Sequence, residues 1–79
     1  MKFRVKQSHI RNGCKGSCSS CPIALCIQEQ LTVFYVRVMS SVIVIDDKNI
    51  KIPKNVVMFI REFDSGQPVK PIKFTIKSL

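Results

Sequence analysis

Acidic residues are scarce in this chain. Five Asp and Glu stand against 13 Lys and Arg in 79 residues, a formal net charge of +8. None of the acids precedes Glu29. There is no Trp, and only one Tyr and one His. Acid–base catalysis needs a positioned pair of titratable groups, and no such pair is spaced here, so an enzyme is the least supported class. No apolar run approaches the ~20 residues of a membrane span, so no membrane partner is expected. The first residues are basic but then alternate, unlike a signal peptide, and a cytoplasmic chain is the expectation. No internal repeat or linker divides the sequence, which reads as a single domain over 1–79.

An apolar fraction of 46% is enough to bury a core in so short a chain. The positive field favours anionic partners and speeds encounter with them. Charge alone does not separate a nucleotide from a nucleic acid or an acidic protein surface.

The most distinctive stretch runs over 11–30 and holds all four cysteines, with Ser17, Ser19 and Ser20 among them. Pro22 suits the first position of a helix, with Cys21 or Ser20 as its cap. Ile23, Ile27 and Leu31 then recur every four residues, with Ala24 and Cys26 beside them, as one apolar stripe. Asn12-Gly13 and Lys15-Gly16-Ser17 upstream read as loop. A Gly/Ser loop before a helix offers free amides, hydroxyls and the positive end of the helix dipole. The anion site expected here comprises Ser17, Ser19 and Ser20, with Arg11 and Lys15 supplying charge. The stretch lacks the lysine-terminated nucleoside-triphosphate loop and the three-glycine dinucleotide fingerprint.

Cys14, Cys18 and Cys21 are spaced C-x3-C-x2-C, and Cys26 follows. Thiolates so close together can converge on one zinc ion. The competing reading, and the one preferred, is four reduced thiols with Cys26 in the core and no cofactor. His9, the alternative fourth ligand, is expected to be a solvated loop residue. Cys21, at a helix N-terminus among cations, is expected to have a lowered pKa and to be reactive.

Residues 2–6 alternate apolar and cationic as a half-buried strand. Residues 32–39 are dense in β-branched and aromatic side chains and read as a second strand. Ser40-Ser41 then turn the chain into a third over 42–46, whose Val-Ile-Val-Ile run suits a central position. A turn over 46–49 and a short returning strand over 50–52 come next. In the second helix, over 54–63, Val56, Phe59, Ile60 and Phe63 form the core stripe, with Gly66 as a left-handed stop. Ile72, Phe74 and Ile76 alternate with Lys73, Thr75 and Lys77 in a last strand. The order β-α-β-β-(β)-α-β predicts an α+β domain, its two helices on one face of a mainly antiparallel sheet, ferredoxin-like or similar. With the terminal strands side by side, Lys2, Arg4 and Lys6 share the open face with Lys73 and Lys77, joined by Tyr35 and Arg37 from the second strand. Such a face suits a phosphodiester backbone.

Two stretches carry a resemblance. One is Ile10-Arg11-Asn12-Gly13…Gly16-Ser17…Cys21-Pro22-Ile23-Ala24-Leu25. The other is Ile52-Pro53…Val57…Phe59-Ile60…Phe63-Asp64-Ser65-Gly66…Pro68-Val69…Pro71-Ile72-Lys73-Phe74. Together they resemble a group of small, mostly uncharacterised proteins encoded by bacteriophages and prophages. The resemblance implies an accessory protein that works by binding, on host machinery or by sequestering a host immune signal. Three functional expectations follow. The first is capture of a small signalling nucleotide, as an anti-defence sponge assembled as a homo-oligomer. The second is nucleic-acid binding on the Lys/Arg sheet face, and the third is inhibition of a host protein.

Overall fold

The computed structural model describes residues 1–33, 35–39 and 41–77. Phe34 and Ser40, which the sequence places in the second strand and the turn after it, lie outside the described residues. The chain builds an α+β domain in the order β1 (Lys2–Arg4), α1 (Gln7–Asn12), α2 (Pro22–Gln30), β2 (Val36–Val38), β3 (Val42–Ile45), β4 (Lys48–Lys51), α3 (Lys54–Asp64) and β5 (Lys73–Thr75). No helix among the described residues is long and apolar enough to cross a membrane.

All strand pairings are antiparallel, but they form two sheets rather than one. β1 pairs with β5, joining the two ends of the chain with Phe3 opposite Phe74 and Arg4 opposite Lys73. β2, β3 and β4 form a meander with β3 in the middle, as its apolar run anticipates. Ile43 and Ile45 face the core while Val42 and Val44 are only half-buried on the other side. The β3–β4 turn is tighter than expected: Asp46 takes a left-handed φ of 52° and Lys48 already begins β4.

Helix α2 starts as its sequence dictates. Cys21 is the cap, and its sulfur accepts from the Ala24 amide. Pro22 occupies the first turn, and Ile23, Ala24, Cys26 and Ile27 are buried. Helix α3 buries Val56, Phe59 and Phe63 and ends where Gly66 adopts a φ of +84°. The one element without a forecast is α1. Its six residues contain a single aliphatic side chain, Ile10, too little for a periodic signal.

One core gathers side chains from both sheets and from α2 and α3, with Phe3, Val5, Ile23, Ile27, Ile43, Val56 and Ile76 almost wholly enclosed. Phe3 and Phe74 lie stacked with ring centroids 5.1 Å apart, fastening the β1–β5 ribbon to that core. Both outer edges of the ribbon are covered by helix side chains. Cys26 and Gln30 of α2 donate to the Arg4 and Lys2 carbonyls, at 3.2 and 2.8 Å, and Asn55 of α3 donates to the Lys73 carbonyl at 2.9 Å. A two-stranded ribbon is otherwise marginal and open to pairing with another chain.

Candidate functional site

The ribbon keeps its apolar side chains below and its polar ones above. Lys2, Arg4, Lys73 and Thr75 are exposed, while Phe3 and Phe74 are buried. The Val5 amide donates to Ile72 at 2.8 Å and the Ile76 amide to Met1 at 2.9 Å. Residues 2 and 4 therefore occupy the non-hydrogen-bonded positions, where opposed side chains come closest. Arg4 and Lys73 face each other there, a like-charge pair that destabilises the strands. The ion pairs seen among the described residues are Lys6 and His9 with Glu29, so neither Arg4 nor Lys73 has a carboxylate partner among them. An arriving anion would relieve that repulsion.

A shallow cleft of about 470 Å³ lies along this surface, lined by Lys2, Arg4, Gln30, Lys73 and Thr75, with the nearly buried Phe3 and Phe74 at its floor. Thr75 also borders a second cleft of about 430 Å³ with Lys51, Lys54 and Lys77. The cations therefore extend in a band from Arg4 past Thr75 to the start of α3. Lys51 and Lys54 went unrecognised in the sequence, although their flanking of Ile52-Pro53 was a visible sign. Three of the expected members do not fit as expected. Lys6 is engaged by Glu29 at 2.7 Å. Tyr35 and Arg37 belong to the β2 edge of the other sheet, where the guanidinium bonds the Tyr35 hydroxyl at 3.3 Å and lies over its ring.

The Cys-rich loop differs more from expectation. Several of its amides are committed within the protein. Gly16 donates to the Asp64 carboxylate at 3.0 Å, Ser17 to the Cys14 carbonyl at 3.4 Å, and Ser20 to the Ser17 hydroxyl at 3.1 Å. The Ser19 carbonyl accepts from Gln28 at 3.1 Å. Lys15 lies over the end of α3, its amine 3.3 Å from where a β-carbon on Gly66 would stand. Arg11 is exposed on α1, away from those amides in sequence and on a separate element. Of the expected anion site of Arg11, Lys15, Ser17, Ser19 and Ser20, the Ser17 and Ser20 amides are thus engaged within the loop, and Arg11 stands on a separate element. A carboxylate from α3, 48 residues along, accepts from the neighbouring Gly16 amide.

The cysteines also part company. Among the described residues no three His, Cys, Asp or Glu side chains gather as ligands would around a metal ion. Cys14 is exposed and Cys18 half-buried, whereas Cys21 and Cys26 are buried. The Cys26 thiol points into the core side of α2 toward the Arg4 carbonyl. Zinc held by Cys14, Cys18, Cys21 and Cys26 does not fit this arrangement. Nor is Cys21 activated. It is only 4% exposed, and burial raises its pKa by more than the amides of Ala24 and Ile23 lower it. Desolvation outweighs the helix terminus.

His9 is not a loop residue. It lies on α1, buried, with Nδ1 accepting from the Lys6 amide at 2.9 Å and Nε2 against Glu29 at 2.6 Å. It closes the N-terminus of α1 onto α2, a structural task.

A groove of about 560 Å³ runs between the Cys-rich loop, the end of β2 and α3, lined among others by Cys18, Cys21, Val38, Ile60, Arg61 and Asp64. The sequence offered no sign of it, because its walls come from three separate stretches. Comparison with protein-family models, with curated proteins and with solved structures found no match to this chain.

Proposed function

We propose that the protein is a non-enzymatic binding module for a nucleic-acid duplex, which lies across the outer face of the β1–β5 ribbon. The observation that carries this reading is the uncompensated Arg4–Lys73 pair at a close cross-strand position, inside a band completed by Lys2, Lys51, Lys54 and Lys77. A closely set row of cations with no acid among them matches the spacing of phosphates better than it matches a compact ligand. The aromatic residues that border this cleft, Phe3 and Phe74, are only 1% and 4% exposed and stack on each other in the core, so among the described residues the ribbon offers no open aromatic surface. Binders of single strands stack bases on such side chains, so the surface favours a duplex held through its phosphates. The Thr75 hydroxyl and the Gln30 amide add neutral contacts at the edge of the same cleft.

Titration of short fluorescent duplexes across a salt series tests the reading. Neutralising about five phosphates gives a slope of log K against log salt of about −4 to −5. Arg4→Glu combined with Lys73→Glu should reduce affinity at least tenfold, whereas Arg37→Glu, on the other sheet, should leave it nearly unchanged. Equal affinity in wild type and the double variant would refute the ribbon face.

A further inference from the structure

Two of the four thiols share one groove, and they differ in access. Cys18 is half-buried at the turn that precedes α2, and Cys21 is the buried cap of that helix. Only Ser19 and Ser20 lie between them, and the chain turns over 18–20, so both cysteines line the same 560 Å³ groove. Cys14 is more exposed than either but does not line the groove, and Cys26 is turned toward β1.

We propose that Cys18 and Cys21 form a thiol–disulfide exchange pair, Cys18 attacking and Cys21 resolving, with a low-molecular-weight disulfide such as oxidised glutathione as oxidant. In the first step the Cys18 thiolate attacks one sulfur of the oxidant. A mixed disulfide forms and one thiolate leaves. In the second step Cys21, its proton passing to a departing thiolate, attacks the Cys18 sulfur and expels the remaining half. The protein loses two hydrogens to a disulfide, and the oxidant gains them as two thiols. The groove gives the small disulfide access to Cys18, the half-buried member of the pair. Burial keeps Cys21 protonated and out of the first step, which fixes the order of attack.

The test is reaction of reduced protein with oxidised glutathione, alkylation of the remaining thiols, and peptide mapping by mass. The expected product carries an internal disulfide between Cys18 and Cys21, with Cys14 and Cys26 alkylated. Cys21→Ser should stall at a glutathione adduct on Cys18, and Cys18→Ser should form no disulfide at all. Serine is itself a good cap, so the Cys21 variant keeps the start of α2. A disulfide that includes Cys14, or a stable glutathione adduct on the wild-type protein without an internal bond, overturns the proposal.

Discussion

Both nitrogens of the His9 ring are occupied, and this fixes its form. Because Nδ1 accepts from the Lys6 amide, Nε2 carries the proton and donates to the Glu29 carboxylate. His9→Ala should cost about 1–3 kcal/mol in urea unfolding, since it strips the part-buried Lys6 amide of its partner and leaves Glu29 with Lys6 alone. Glu29 is held below the usual carboxylate range, first by the Lys6 ammonium and then by His9. The stabilisation from this lowered pKa is present above pH 4.5, the ordinary value, and disappears as pH falls through the folded value. Glu29→Gln should flatten the acid limb of the stability curve accordingly. Cys26 acts at the other extreme. Burial raises its thiol from 9.0 to about 11. The folded state then holds a proton that the unfolded chain has released, so this contribution is complete below pH 9.0 and is lost as pH rises to about 11. Subtracting the unfolding curve of Cys26→Ala from that of wild type over this window isolates the effect. A flat difference would mean that the thiol is less enclosed than it appears.

At the scale of elements, the close approach of the loop to α2 is the most sensitive junction. A β-carbon on Gly13 would stand 2.6 Å from the Pro22 side chain, so the backbone itself is packed against the first turn of the helix. Gly13→Ala should destabilise by about 1–3 kcal/mol through overpacking alone, as its φ of −73° suits any residue. A thermal melt indistinguishable from wild type would show that the loop yields instead. The ribbon depends on its aromatic pair in the same way: Phe74→Ala should cost about 3–5 kcal/mol, because both the stack and the enclosed ring are lost. The two strands of the ribbon and both main helices were legible from periodicity and caps, since each buries a stripe whose spacing matches its own repeat. Helix α1 was not legible. It is held by a histidine reaching back to Lys6 and across to Glu29, and neither contact leaves a pattern in six residues.

Across the whole molecule, charge was decided by composition and its distribution by topology. The excess of Lys and Arg is visible in the sequence, and so is the alternation that places Lys2, Arg4 and Lys73 on a solvent face. Pairing of the terminal strands was also within reach of the pattern, because both ends alternate in the same sense. Several facts come only from the folded chain. The strands divide into two sheets, which removes Tyr35 and Arg37 from the cationic face. Asp64 takes the Gly16 amide, which ties the Cys-rich loop to the end of α3. Cys18 and Cys21 end on one groove while Cys26 is turned away. The division has a physical basis. Periodicity and capping act over a few residues and are written in neighbouring letters, whereas the partner of an amide or the neighbour of a thiol is set by packing between segments tens of residues apart, which no local pattern records.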